Sequence, residues 1–149
     1  MKYQLILQSQ KDFFHSGATL PVPYRLEVLS LLEGAIQNRQ EQIESALAED
    51  LGKSQQEAYS TEIAIVLSEL RHAKRHLNSW ARSKRVPVPL SHWPGRQQVT
   101  PVPYGSVLIL APWNYPFQLC LSPLISALAA GNCAVVKPSE LARRTALVI

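Results

Sequence analysis

The strongest fold signal in the chain lies in residues 105–140, which read GSVLILAPWNYPFQLCLSPLISALAAGNCAVVKPSE. The segment SVLILAP is a short run of Val, Leu and Ile, which suits a strand buried on both faces, and NCAVVKP suits a second buried strand. Between them, Pro116 is placed to open a helix and Gly131 to close it. Ser139 is placed to cap a further helix, which begins at Glu140. The order strand, helix, strand, helix predicts a βαβ unit of a parallel sheet.

The residues before this stretch predict two amphipathic helices. The first begins near Pro21 and Pro23 and ends at Gly52, which suits the left-handed residue that stops many helices. Its apolar face has helical spacing. That face consists of Leu29, Leu32, Ile36, Ile43 and Leu47.

The second predicted helix starts at a capping-box pattern, Ser54 with Glu57 three residues later, and has a break near Ser60. Its apolar face is formed by Ile65, Val66, Leu70, Ala73, Leu77 and Trp80. Alternating Val and Pro around a Pro-Gly turn then predict an extended hairpin over residues 86–104, with edge character because proline cannot donate to a strand ladder.

Length and composition limit the class of protein. The chain has 149 residues, 46% of them apolar and 17% charged, so it is long enough for one core and too apolar for wholesale disorder. The N-terminal residues make a poor secretory signal, so a cytoplasmic protein is expected. Residues 97–136 carry no formal charge. Prolines and asparagines interrupt that stretch so often that a buried sheet and helix explain it better than a membrane span.

Residues 71–96 carry seven basic side chains and no acidic one. Together with Trp80 and Trp93, they leave open an alternative function, a basic nucleic-acid-binding or interaction module. The ordinary explanation is a solvated helix face opposite the apolar one. His72 and His76 have the spacing of zinc ligands on a helix, but the neighbouring cations favour a surface pair and no metal site.

Two polar clusters follow the two predicted buried strands. Asn114 comes after the first strand, where an uncharged amide can donate a hydrogen bond to a developing oxyanion. Lys137 and Glu140 come after the second, and a Glu that accepts ribose hydroxyls is common in dinucleotide sites. Each cluster also has a purely structural explanation: Asn114 as a turn residue, and Glu140 as a partner of a helix dipole. Position alone does not decide between them.

Taken together, the two clusters closely resemble the coenzyme domain of the aldehyde dehydrogenase superfamily. The motifs that carry the resemblance are PWNYP at 112–116 and KPSE at 137–140. The helical run EAYSTEIAIVLSELRHAKRHLNSWA at 57–81 and the hairpin after it are similar to the class 3 branch, which includes fatty-aldehyde dehydrogenases. The resemblance implies an α/β fold, with N-terminal helices followed by the first βαβ unit of an incomplete Rossmann-like NAD(P)-binding domain.

The resemblance also implies a division of the chain and roles for its residues. Residues 1–85 are expected to be a helical part, 86–104 a hairpin arm that joins two subunits of a homodimer, and 105–149 the start of the cofactor-binding sheet. Asn114 matches the oxyanion-hole residue, and Lys137 with Glu140 matches the pair that binds the adenosine ribose of NAD or NADP. The cofactor choice stays open. Pro112 and Trp113 match a segment beside the nicotinamide half of the cofactor, and Tyr115 matches a position near the substrate tunnel.

The two cysteines do not match the position of the nucleophile in this family. Cys120 falls in a predicted helix and Cys133 in a predicted buried strand, so both are interpreted as small apolar core residues. The catalytic Cys and Glu of the family lie further along the chain than residue 149. The expected protein is thus the N-terminal fragment of an enzyme that oxidises an aldehyde to a carboxylic acid, and the fragment alone is expected to be inactive.

Overall fold

The computed structural model describes residues 2–149. Helices fill the first half of the chain, a short hairpin follows, and two parallel strands with two helices complete it. In chain order the elements are α1 (Lys2–His15), α2 (Val22–Asn38), α3 (Gln40–Leu51), α4 (Gln55–Ala58), a π-helical turn (Tyr59–Ile63), α5 (Ala64–Trp80), β1 (Lys84–Val86), a 3-10 turn (Leu90–His92), β2 (Gln97–Val99), β3 (Ser106–Leu110), α6 (Gln118–Ala130), β4 (Cys133–Lys137) and α7 (Arg143–Val148).

The prediction of one continuous first amphipathic helix is wrong, because the structure divides this stretch into α2 and α3. The break lies at Arg39, whose φ of −112° departs from helical geometry, although its N–H still bonds back to the carbonyl of Ile36 at 3.2 Å. The two ends are as expected. Helix α2 begins directly after Pro21, and α3 ends at Gly52 with φ +68°. A regular apolar spacing continues across the break, so periodicity alone does not reveal it.

The second predicted helix is confirmed, including its break. Ser54 accepts a hydrogen bond from the N–H of Glu57 at 3.2 Å, which is half of the predicted capping box. The irregularity expected near Ser60 is the π-helical turn between α4 and α5, in which backbone hydrogen bonds join residues five apart instead of four. Such single-turn insertions are uncommon and often lie at functional sites.

One hydrophobic core joins the helices of the first half to α6. The predicted apolar faces provide eight of its seventeen members, whereas Ile65 and Trp80 of the second predicted face are 37% and 46% exposed. Burial of each large side chain contributes about 1.5–3 kcal/mol. The fully buried large side chains are Leu29, Leu47, Ile63, Leu70, Leu77, Val66 and Cys120, with the polar Glu62 and Thr145 and with Pro116.

The hairpin is antiparallel, as expected, but its ladder is short and lies slightly outside the predicted bounds. Strand β1 pairs with β2 from Lys84↔Val99 to Val86↔Gln97. Residues 87–96 between them form an extended loop with a 3-10 turn. Because Pro87 and Pro89 have no N–H to donate, the ladder cannot continue past Val86 in the usual pattern.

The predicted βαβ unit is confirmed. Strands β3 and β4 are parallel, with register from Ser106↔Cys133 to Leu110↔Lys137, and α6 makes the crossover. Helix α6 begins at Gln118, two residues after the predicted Pro116, and ends as predicted at Gly131 with φ +87°. The buried Asn132 amide oxygen accepts the N–H of Gly105 at 2.9 Å, which ties the start of β3 to the turn before β4.

The expectation that both faces of β3 are buried is wrong for the described chain. Ile109 is 8% exposed, but Leu108 and Leu110 on the opposite face are 63% and 66% exposed. Side chains alternate across a strand, so one face can be covered while the other is open. Within residues 2–149, the packing elements leave the opposite face open at Leu108 and Leu110, whereas Cys133, on that same face at the start of β4, is buried.

The last predicted helix begins later than expected. Helix α7 starts at Arg143 and not at Glu140, and the hydroxyl of Ser139 accepts the N–H of Leu141 at 3.2 Å inside a turn. The N–H groups that open α7 are satisfied from a different element. Asp50, at the end of α3, accepts the N–H of Thr145 at 2.7 Å and that of Arg144 at 3.1 Å. A tertiary contact therefore positions this helix.

Helix α1 was not predicted from the sequence. It contacts β3 and β4, and the ring of Phe14 lies 3.6 Å from the position that a Cβ on Gly105 would occupy. Gly105 has φ +113°, a backbone conformation that residues with a side chain rarely adopt, so glycine is needed there for the backbone. The distance to the Phe14 ring corresponds to an ordinary van der Waals contact.

Candidate functional site

The first predicted cluster lies in the connection between β3 and α6. Pro112, Trp113, Asn114 and Tyr115 are all exposed, whereas the next residue, Pro116, is buried. The connection is thus packed into the core at Pro116, and the four side chains before it are exposed to solvent. Within residues 2–149, the Asn114 side chain forms no hydrogen bond, so its amide is free to donate to a ligand.

The second cluster lies at the end of β4. The ammonium of Lys137 donates a hydrogen bond to the carboxylate of Glu140, three residues later. That hydrogen bond, with the attraction between the two charges, holds the pKa of the Glu140 carboxyl below its usual value. Both side chains are more than half exposed. Glu140 is therefore a charged acceptor at neutral pH, and the pair can accept from and donate to hydroxyl groups.

The sheet brings the two clusters to the same edge. Leu110 and Lys137 are register partners at the carboxyl ends of the two parallel strands. The N–H of Ala111 donates to the carbonyl of Lys137 at 3.1 Å, one residue beyond the ladder. The connection that carries Asn114 and the turn that carries Glu140 thus leave the sheet side by side. In open α/β sheets this edge is where ligands bind.

Sequence reasoning missed two charged residues beneath this edge, Lys53 and Glu62. Lys53 is 8% exposed and Glu62 is completely buried, and their Nζ and Oε1 atoms lie 2.5 Å apart. The Nζ of Lys53 also lies 4.1 Å from the ring centroid of Tyr115. One signal was present: Glu62 stands four residues before Val66, in line with the apolar face of the second helix, where a charge is unusual.

Both cysteines are buried, as expected from their positions. Burial raises the pKa of the Cys120 thiol to about 11, and it also raises the pKa of Cys133. The reactive form of cysteine is the thiolate, so neither thiol is activated at neutral pH. Neither side chain lies in the connection that carries Asn114.

The basic stretch is divided between exposed and paired side chains. Arg71 and Arg75 are exposed on α5, whereas Lys74 forms an ion pair with Glu33 of α2 at 2.6 Å. The ring centroids of His72 and His76 lie 4.2 Å apart on the surface, with the two ring planes tilted by 32°. Among residues 2–149 there is no cluster of three or more side chains suited to holding a metal ion. In the same part of the chain, no helix combines the length and apolar character needed to cross a membrane.

Comparison with known proteins identifies the family. The family model described as "Aldehyde dehydrogenase family" matches residues 2–149, almost the whole chain. The chain belongs to the aldehyde dehydrogenase family. The resemblance stated from the sequence is thereby confirmed, and the incomplete α/β fold agrees with the structures of this family.

The chain is 46% identical over 139 residues to the 4,4'-diaponeurosporen-aldehyde dehydrogenase of Staphylococcus aureus, covering 93% of this chain and 30% of that protein. It is 40% identical to human aldehyde dehydrogenase family 3 member B1, covering 96% of this chain and 31% of that protein. The similarity to a family 3 member agrees with the class 3 resemblance.

Among solved structures, the substrate-bound state of Staphylococcus aureus AldH superposes with a TM-score of 0.96 at 43% identity. The match covers 98% of this chain and 32% of that one. The chain therefore spans about a third of the length of the aldehyde dehydrogenases that it matches. The site at the carboxyl edge of β3 and β4 is one part of the larger fold seen in those proteins.

Proposed function

We propose that this chain is the N-terminal part of an NAD- or NADP-dependent enzyme that oxidises an aldehyde to a carboxylic acid. The observation that carries the proposal is the exposed amide of Asn114, which leaves the sheet beside the Lys137–Glu140 pair. Membership of the aldehyde dehydrogenase family supports the reaction class. The substrate is an aldehyde whose identity depends on parts of the enzyme outside this chain.

Asn114 is proposed to stabilise the oxyanion that forms when a cysteine thiolate adds to the aldehyde carbonyl. An amide donor stays uncharged at every physiological pH. Its hydrogen bond to the substrate oxygen strengthens most in the transition state, where negative charge develops on that oxygen. The covalent intermediate divides one difficult reaction into two easier steps. Since both cysteines of this chain are buried with raised pKa values, the nucleophile is proposed to lie elsewhere, and the 149-residue chain alone to be inactive.

The exposed Lys137–Glu140 pair fits a nucleotide ribose, because a carboxylate accepts from two hydroxyls while an ammonium donates to their oxygens. When bound, NAD or NADP supplies the acceptor for the hydride that leaves the substrate carbon. Pro112 and Trp113 are proposed to flank the nicotinamide half, and the exposed ring of Tyr115 to face the aldehyde. These roles follow from the family resemblance and from the exposure of all three side chains.

The hairpin arm, residues 86–104, is proposed to join two subunits of a homodimer. Leu90, Trp93 and Tyr104 are 95%, 79% and 96% exposed, and large apolar side chains grouped on a protruding segment are typical of an interface. The edges of β1 and β2 also offer unpaired backbone groups that can extend a partner's sheet.

Replacement of Asn114 by alanine in the full-length enzyme tests the proposed function. We expect the rate of enzyme acylation, measured by rapid-mixing detection of the first NADH formed, to fall about 10²–10³-fold, as on loss of one oxyanion donor. The dissociation constant for the cofactor should change little. Asn78→Ala, an exposed asparagine on α5, is the matched control and should acylate normally. A loss of cofactor affinity with unchanged acylation would contradict the role given to Asn114.

A further inference from the structure

Lys53 and Glu62 form a buried ion pair directly beneath the connection between β3 and α6. Removing two charges from water is costly, and the attraction between them often does no more than offset that cost. A pair in this position is therefore explained best by its further contacts. Both residues contact the segment that follows Asn114, Lys53 from the loop after α3 and Glu62 from the π-helical turn.

Glu62 caps helix α6. While its Oε1 atom bonds to Lys53, its Oε2 atom accepts the N–H of Phe117 at 2.9 Å and the N–H of Gln118 at 3.1 Å. The first N–H groups of a helix have no partner within the helix, and a negative charge is favourable there. No side chain of the α6 segment itself provides this cap. The carboxylate thus holds the first turn of α6 in place.

Lys53 holds the residue next to Asn114. Its ammonium lies over the ring of Tyr115, a cation–π contact that is stronger when the cation is removed from water. The Tyr115 carbonyl also accepts the N–H of Leu119 at 2.9 Å. The backbone is therefore anchored one, three and four residues after Asn114. Because the Asn114 side chain has no hydrogen bond of its own within residues 2–149, these anchors set its direction.

We propose that Lys53 and Glu62 are positioning residues for the Asn114 amide. Glu62 fixes the start of α6, Lys53 fixes the Tyr115 ring and neutralises Glu62, and together they hold the Asn114 backbone in the orientation that the transition state requires. The inference rests on the proposed function of Asn114. It adds two residues that act through the connection without touching the substrate.

The test uses Glu62→Gln in the full-length enzyme. Glutamine keeps an acceptor for one N–H of α6 but loses the charge that pairs with Lys53. We expect the acylation rate to fall about tenfold, a part of the loss caused by removing the amide itself, since small misplacements of a catalytic group are costly. The Michaelis constant for the cofactor should stay within about twofold, because the Lys137–Glu140 pair is untouched. If Glu62→Gln does not fold, the double variant Lys53→Met/Glu62→Gln removes both buried charges and carries the same expectation.

Glu44→Gln is the matched control. Glu44 is also a buried glutamate, 6% exposed, and its two oxygens accept from the side chains of Gln40 at 2.8 Å and Gln55 at 2.7 Å. It forms no hydrogen bond with the connection that carries Asn114. We expect Glu44→Gln to lower thermal stability without changing the acylation rate. An equal loss of acylation in both glutamine variants would overturn the proposal, because it would show a general effect of lost stability.

A double-mutant cycle with Asn114→Ala separates the inference from the proposed function. If Glu62 acts through Asn114, adding Glu62→Gln to Asn114→Ala should cause no further loss of acylation. A slow Asn114→Ala enzyme that slows another tenfold on adding Glu62→Gln would overturn the positioning role and leave the proposed function intact. An Asn114→Ala enzyme that acylates normally would overturn the proposed function and, with it, the inference.

Discussion

At the scale of single residues, exposure separates the side chains that hold the fold from those available for chemistry. Asn114, Lys137 and Glu140 are exposed, whereas Lys53 and Glu62 are buried beneath the connection that carries Asn114. Buried charges persist only when they are paired and hydrogen-bonded. Here the buried pair satisfies that condition and also carries the turn on which the exposed amide is placed.

Glu140→Gln should weaken cofactor binding by about tenfold, because a hydrogen bond to a charged acceptor contributes about 1.5–3 kcal/mol and 1.4 kcal/mol is a factor of ten. Calorimetric titration of the full-length enzyme with NAD, or titration with NADH followed by its nicotinamide fluorescence, measures the dissociation constant. The turnover number at saturating cofactor should be nearly unchanged.

Glu49→Gln is the control for this prediction, since Glu49 is an exposed glutamate that pairs with Arg144 at 2.9 Å. Its replacement should leave the dissociation constant within error of the unmodified enzyme. If both variants lose the same affinity for the cofactor, the loss reflects net charge alone and the ribose contact assigned to Glu140 is wrong.

At the scale of elements, the turn between α6 and β4 shows how one glycine sets the geometry of the crossover. Gly131 has φ +87°, and the position of a Cβ there would lie 2.8 Å from the guanidinium carbon of Arg25. Arg25 donates from Nε to the carbonyl of Thr19 at 2.9 Å and from Nη1 to that of Ala129 at 3.3 Å. The turn is thus packed against a side chain that ties α2 to α6.

Gly131→Ala should destabilise the protein by at least about 1–2 kcal/mol, the cost of a left-handed conformation for a residue with a Cβ, with a further cost from displacing Arg25. Gly34→Ala is the matched control: Gly34 lies inside α2, and nothing lies within 4 Å of its added Cβ. That change should stabilise the helix by about 0.5–1 kcal/mol. Thermal unfolding of the full-length enzyme compares the two. A Gly131→Ala midpoint equal to or above that of Gly34→Ala would contradict this account.

At the scale of the whole molecule, two of the places that carry large exposed apolar side chains bear on assembly. One is the sheet face with Leu108 and Leu110, and the other is the hairpin arm with Leu90 and Trp93. Apolar patches of this kind mark surfaces that another part of a protein or another subunit covers. For the arm, the proposed covering element is a second subunit.

Replacement of both Leu90 and Trp93 by serine should raise the dimer dissociation constant of the full-length enzyme at least about 100-fold, since large side chains at the centre of an interface each contribute about 2 kcal/mol or more. Light scattering coupled to size-exclusion chromatography over a range of concentrations measures the change. Leu31→Ser, which alters an exposed leucine on α2 outside the arm, should leave the dimer intact. A dimer of unchanged affinity in the double serine variant would show that the arm is not the interface.

Much of the fold could be predicted because its signals are local. The βαβ order follows from two short apolar strands around a helix that Gly131 ends. The irregularity near Ser60 follows from a capping box that precedes a broken apolar pattern. The signals failed where a tertiary contact decides the local structure. Helix α7 begins at Arg143 because Asp50 accepts hydrogen bonds from its first N–H groups. The sequence around Arg143 does not predict that contact.

The candidate site divides in the same way. The sequence by itself determined the family, the parallel strands and the positions of Asn114, Lys137 and Glu140, because motif spacing and strand ends are properties of consecutive residues. Only the tertiary structure decided that Lys53 and Glu62 contact the segment that follows Asn114 and that Leu108 and Leu110 of β3 stay exposed. Those features depend on residues far apart in the chain meeting in space: Glu62 precedes Phe117 by 55 residues. Neither periodicity nor a motif predicts such a long-range contact, because it results from the packing of whole elements around the core.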